Sequence, residues 1–181
     1  LLIFLFLEVP LLWAGMKDFV KLEVPQSQGK IIYLSKVKRT YFEAMDACKA
    51  EDLVLVALDN YQEGEKITTT GCQKISHDKD MKSESVWIGV YRYMGGSNFR
   101  SLDGYTLPKF IRWNEGEPNN HETEKCVSIQ CNKGTWFTQL CDKQFYFACQ
   151  IPTGYSKYNC SKNSTIEGSP KKKKKEDKAN Q

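Results

Sequence analysis

Between Trp113 and Cys126 the chain carries Glu115, Glu117, Asn119, Glu122 and Glu124, four carboxylates and an amide within ten residues. Hard oxygen donors at this density suit a hard cation such as calcium, which takes roughly six to eight oxygens held on a stiff loop. Pro118 separates Glu117 from Asn119, and proline is the residue type that permits a cis bond, aiming both neighbours toward one point. The plain alternative is a solvated acidic loop. Other chemistries lack their residues. With two histidines, His77 and His121, no Ser/His/Asp spacing and no phosphate loop, nothing assembles a reaction centre, and no enzyme is expected. No Cys-x-x-Cys pair occurs, and Cys126 and Cys131 are five apart, so zinc is not expected either.

The wider chain limits the partners. Its net charge is +4, but residues 171–178, KKKKKEDK, hold six lysines and two acids and supply all of it. The other 173 residues are neutral, which gives no reason to expect nucleic acid. The lysine run follows Gly168-Ser169-Pro170 and reads as a disordered tail spanning 153–181. Such an end usually only solubilises; its sharper reading is weak docking to sulfated glycans or anionic membrane. Residues 1–15, LLIFLFLEVPLLWAG, resemble the apolar stretch of a secretory signal begun without its Met, and are too short to span a bilayer. Seven cysteines and two sequons, Asn159-Cys160-Ser161 and Asn163-Ser164-Thr165, suit a secreted, extracellular glycoprotein with disulfides.

The elements that must position the acidic loop follow an α+β order. Residues 16–29 read as a lead-in and Lys30–Lys36 as a strand. Thr40-x-x-Glu43 is a capping box opening a helix to about Ala50 that buries Tyr41, Met45 and Cys48. Leu53–Leu58 reads as a short strand, and Asn60 with Glu63 caps a second helix from Tyr61 to about Thr69. Strand-like runs follow at 86–92, 126–130, 134–139 and 145–151. The long stretch 94–125 has apolar anchors in Phe99, Leu102, Tyr105, Leu107, Phe110, Ile111 and Trp113, which predicts a folded loop.

Cys48, Trp87-Ile88-Gly89, Trp113-Asn114-Glu115-Gly116-Glu117-Pro118-Asn119 and the spacing Cys126…Trp136-x4-Cys141-x7-Cys149 together resemble the C-type lectin-like domain, over residues 30–152. The resemblance implies two helices flanking antiparallel sheets, a long structured loop, and disulfides Cys48–Cys149 and Cys126–Cys141. Trp87, Trp113 and Trp136 then take core places. The Gly usual after the first helix cysteine is replaced by Ala50-Glu51-Asp52. Cys72 and Cys131 remain as a possible pair by parity. Cys160 is then odd, which points to a covalent homodimer or a free thiol.

The resemblance also assigns the loop. Family members with Glu-Pro-Asn typically bind mannose-type sugars through calcium, so Glu117, Asn119 and Glu124 take the ligand positions. The remaining ligands come, in the family, from an Asn-Asp pair after the tryptophan. Here that pair is Phe137-Thr138, which offers one hydroxyl in place of an amide and a carboxylate. Two readings stay open: a secreted mannose-type lectin with a weakened calcium site at Glu117, Asn119, Glu124 and Thr138, or a calcium-independent interaction protein binding a protein or another glycan. Immune, salivary and venom roles are all consistent with such a single domain.

Overall fold

The computed structural model describes residues 16–76, 81, 83–93, 98–102, 106–119 and 121–153. The expected signal (1–15), the sequons at Asn159 and Asn163, Cys160 and the lysine run lie outside the described residues. Eight strands are present among those described: β1 Phe19–Val24, β2 Lys30–Ser35, β3 Val54–Leu55, β4 Ser85–Arg92, β5 Phe99–Ser101, β6 Cys126–Gln130, β7 Trp136–Gln139 and β8 Tyr146–Gln150. They join in the order β1-β2-β8-β4-β6-β7, with β3 on β8 and β5 on β4. All pairings are antiparallel except β4 with β8, which is parallel.

The segment expected as a lead-in is structural. Residues 19–24 alternate in burial and pair along all six positions with β2, Phe19 opposite Ser35 and Val24 opposite Lys30. Its lysine and glutamate point outward, while Leu22 and Val24 are buried. Val20-Lys21-Leu22-Glu23-Val24 alternates apolar and polar residues, the period-2 pattern of a half-buried strand.

Helix α1, Tyr41–Ala50, begins as the capping box requires: Glu43 Oε2 accepts the Thr40 backbone N–H at 3.0 Å. It buries Tyr41, Ala44 and Cys48, whereas Met45 is only half-buried. The second helix runs further than expected. Helix α2, Tyr61–Glu65, continues through a wide π-type turn, Lys66–Gly71, into α3, Cys72–Ile75. Of Leu53–Leu58 only two residues form β3, although the Val56 N–H also donates to Ala148 O at 2.8 Å.

Two apolar cores lie on the sheet. One contains Leu22, Ile32, Ile88, Ile129 and Trp136; the other contains Tyr41, Leu55, Trp87 and Phe147. Alternation along β4 sends Trp87 to one core and Ile88 to the other. Gly89 follows because a Cβ there would stand 2.4 Å from Leu55 O on β3. Three disulfides fasten the elements: Cys48–Cys149, Cys126–Cys141 and Cys72–Cys131. The first closes a loop of 101 residues. Chain entropy puts the worth of such a closure at roughly 4–5 kcal/mol.

The long loop is folded where described. Trp113 packs edge-on against Phe99 and Trp136 at 5.1 and 5.6 Å, and Phe110 against Trp136 at 6.1 Å. Backbone bonds fasten it to β7, with Asn114 N–H to Trp136 O and Trp136 N–H to Arg112 O at 3.0 and 2.7 Å. Leu107 and Ile111, expected as anchors, are instead exposed, and Tyr105 lies outside the described residues.

Candidate functional site

Three chain segments bring the acidic side chains together. The loop is hung on β7 through Asn114, turns at Gly116 (φ 80°), and passes the Glu117–Pro118 bond in the cis form. Glu124 sits just before β6, held there by the Arg92 N–H to Lys125 O bond. Thr138 comes from β7, opposite Val127, on the same side of the strand as Trp136.

The four residues singled out from sequence meet at one place. Glu117 Oε2 accepts the Thr138 backbone N–H at 3.1 Å, the Asn119 backbone N–H at 3.2 Å and the Thr138 hydroxyl. The Asn119 amide donates to Glu124 Oε2 at 2.6 Å and to Glu117 Oε1 at 3.4 Å. Thr138 Oγ1 lies 3.2 Å from Glu124 Oε2. Asn119 is exposed and the two carboxylates half-buried, while Thr138 forms a floor at 3% exposure. Among the described residues no ion pair reaches Glu117 or Glu124. Two negative charges are therefore held by neutral donors alone.

Other candidates stay outside this group. Glu115 and Glu122 are exposed, and among the described residues no hydrogen bond joins their side chains to it. His121 contributes backbone only: its N–H donates to Asn119 Oδ1 at 3.1 Å, and its carbonyl accepts from the Arg92 guanidinium. Phe137 alternates to the opposite side of β7, where the Lys133 ammonium stands 5.6 Å from its ring centroid. Tyr91 and Tyr93 are half-buried in an aromatic ladder with Phe42, at 6.0 and 5.2 Å between successive rings.

Two carboxylates, an amide and a hydroxyl are the donor chemistry that calcium takes. These residues fit such an ion, with fewer protein oxygens than the six to eight of a full shell. Among the described residues no three His, Cys, Asp or Glu side chains cluster as a metal group, so the amide and hydroxyl are needed to complete this one.

A second acid cluster escaped the sequence reading. Glu63, seen there only as a capping residue, is fully buried. Its Oε2 accepts from Lys30 Nζ at 2.7 Å and from the Asp59 N–H at 3.0 Å, and its Oε1 accepts from the Ser27 hydroxyl. Asn60 Oδ1 accepts the Glu63 N–H at 3.1 Å, which is the half of the expected cap that forms. Lys30 also donates to Ala57 O at 2.6 Å and Asp59 Oδ2 at 3.2 Å, and Lys109 pairs with Asp59 Oδ1 at 3.0 Å. Burial pushes the Asp59 carboxyl up, but hydrogen bonds and charge from Lys109 and Lys30 outweigh it and hold the pKa below the ordinary value. Lys30 and Glu63 are 33 residues apart, so no local pattern announces the pair.

A family model described as Lectin C-type domain matches residues 37–151. Among curated relatives, E-selectin of Bos taurus is 28% identical over 136 residues, which are 72% of this chain and 26% of that protein. The gorilla "C-type lectin domain family 4 member M" is 27% identical over 130 residues, 70% of this chain and 31% of that one. The chain thus spans less than a third of either relative. Among solved structures, the mouse scavenger receptor C-type lectin carbohydrate-recognition domain superposes with a TM-score of 0.57 at 23% identity, covering 73% of this chain and 91% of that one. The family model takes in more than half of the chain and runs from before α1 through β8, so the chain belongs to the C-type lectin domain family.

Proposed function

We propose that this protein is a secreted glycan-binding protein whose ligand contacts the exposed edge of the Glu117–Asn119–Glu124–Thr138 group. The observation that carries the reading is the meeting of these four side chains, from three segments, around two carboxylates that no lysine or arginine neutralises among the described residues. Calcium bound there would be held by the Glu117 and Glu124 carboxylates, the Asn119 amide oxygen and the Thr138 hydroxyl, and would supply a charge for sugar hydroxyls to approach. The protein side chains do the rest. Glu117 and Glu124 accept hydrogen bonds from paired hydroxyls, Asn119 donates to one of them, and Thr138 holds Glu117 in place through its backbone N–H. The Glu-Pro-Asn segment favours mannose-type sugars. Phe137 supplies no oxygen, so affinity for the ion is weak.

A second reading has its own support. The Asn119 amide and Thr138 hydroxyl already satisfy both carboxylates without an ion. A domain so arranged serves equally as a calcium-independent binder of a protein or a different glycan. Calorimetry of the full chain with calcium, and retention on mannan with and without chelator, separate the two, with Glu117→Gln as control. Calcium heat in the micromolar to low millimolar range, lost in Glu117→Gln, with mannan released by chelator, is the expected result. No heat and no retention would sink the lectin reading in favour of the second.

A further inference from the structure

Arg92 closes β4 and is buried, at 8% exposure. Its guanidinium lies over the ring of Phe99, its neighbour across the β4–β5 ladder, with Cζ 5.5 Å from the centroid. Among the described residues no carboxylate pairs with it. A charge buried without an acid costs stability, so the packing of β4 alone gives no reason for an arginine here. What Arg92 does hold is the turn 121–125. Its guanidinium donates to His121 O, and its backbone N–H donates to Lys125 O at 2.9 Å. One residue thus fixes both ends of the turn to the sheet.

We infer that Arg92 is the positioning residue of the acidic group, holding Asn119 and Glu124 beside Glu117 before any ligand arrives. The inference rests on the reading of that group as a binding site. Two of its four side chains hang on the backbone of His121. The Glu124 N–H donates to His121 O at 3.1 Å, the same oxygen that Arg92 bonds. The His121 N–H donates to Asn119 Oδ1 at 3.1 Å, which leaves Asn119 Nδ2 facing Glu124 Oε2 at 2.6 Å. Moving His121 therefore moves the Glu124 backbone and turns the Asn119 amide together. Arginine suits the role because its planar fork stacks on a ring and bonds a carbonyl at once, whereas a lysine ammonium is a compact point charge. An outer partner that orients metal ligands is typically worth about ten- to a hundredfold in affinity. The charge of Arg92 acts in the opposite direction, since a cation behind the turn repels calcium. Removing the side chain thus separates the two effects by sign: lost positioning weakens calcium binding, and lost repulsion tightens it.

The test uses the full chain and two readouts, amide hydrogen exchange in calcium-free buffer and calcium calorimetry. In Arg92→Met the His121 and Glu124 amides should exchange about tenfold faster or more, while the amides of β8 keep their protection and show the fold intact. Calcium affinity should fall about ten- to a hundredfold. Arg92→Lys keeps the charge and one flexible donor, and should give intermediate values in both readouts; it also carries the test if Arg92→Met does not fold. Unchanged exchange at His121 and Glu124 in either folded variant overturns the inference. So does tighter calcium binding by Arg92→Met, which would make Arg92 a repelling charge and no more. A wild type without calcium heat sinks the calcium reading of the site alone, and the exchange comparison, which needs no ion, still decides whether Arg92 positions the group.

Discussion

Two acid clusters of the fold differ in what neutralises them. At Glu63 and Asp59 the cation is built in: three oxygens, from Glu63, Asp59 and Ala57, surround the Lys30 ammonium, and Lys109 takes the free oxygen of Asp59. At Glu117 and Glu124 the donors are an amide, a hydroxyl and backbone N–H groups, none of them charged. A carboxylate buried with its own cation has no capacity left for a ligand and works as a joint between β2, α2 and the long loop. A carboxylate pair kept at the surface by neutral donors retains its charge for something from outside. This contrast favours Glu117 and Glu124 over the more deeply buried acids as the place of recognition.

Removing the internal cation should break the contrast most severely. Lys30→Met leaves the fully buried Glu63 without its partner. Removing one member of such a pair destabilises by about 3–5 kcal/mol. Chemical denaturation should show that loss, and Lys30→Met combined with Glu63→Leu should recover most of it, since two apolar residues leave no charge behind. Glu117→Gln gives the opposite profile, a stability change under about 1 kcal/mol for a half-exposed group, with calcium affinity falling instead. Equal destabilisation by the two single variants would erase the distinction between joint and site.

The contrast can also be sharpened by adding oxygens at the surface cluster. Thr138→Asp puts a third carboxylate beside Glu117 and Glu124, and calcium binding should tighten about tenfold or more by calorimetry. Mannan retention should rise in parallel. No gain in calcium heat would mean that the segment 117–124 cannot close around an ion, whatever β7 supplies.

The same clusters explain what the sequence made legible. The loop site was readable because Glu117, Pro118 and Asn119 are adjacent, and their frame of cysteines and tryptophans has fixed spacings. Residue type at a position suffices there. Phe137-Thr138 was readable as a departure, but not that strand alternation sends Phe137 to Lys133 and keeps Thr138 under Glu117. The buried joint was not readable at all. Glu63 follows Asn60 at capping distance, so local chemistry explained it, and its burial depends on a lysine on β2. Strand β1 differs: Val20-Lys21-Leu22-Glu23-Val24 alternates apolar and polar residues, so the strand carries its own local signal, and the ladder with β2 confirms it. Leu107 and Ile111 show the reverse error, since apolar type alone does not say which loop side chains reach the core.

The smallest expected effect lies in acid. Asp59 carries a carboxyl pKa below its ordinary value, because the charges of Lys109 and Lys30 prevail over burial. A carboxylate with a depressed folded pKa adds stability above its unfolded pKa, about 3.9, and loses it as the pH falls through the folded value. Asp59→Asn should therefore cost at most about 1 kcal/mol near neutral pH, given the solvent contact of this group. The difference between variant and wild type should shrink only below about pH 4. Urea denaturation at a series of pH values reads both numbers. Two curves that stay parallel to the lowest pH would show that Lys30 answers to Glu63 alone, and that the joint ends at α2 without holding the long loop through Lys109.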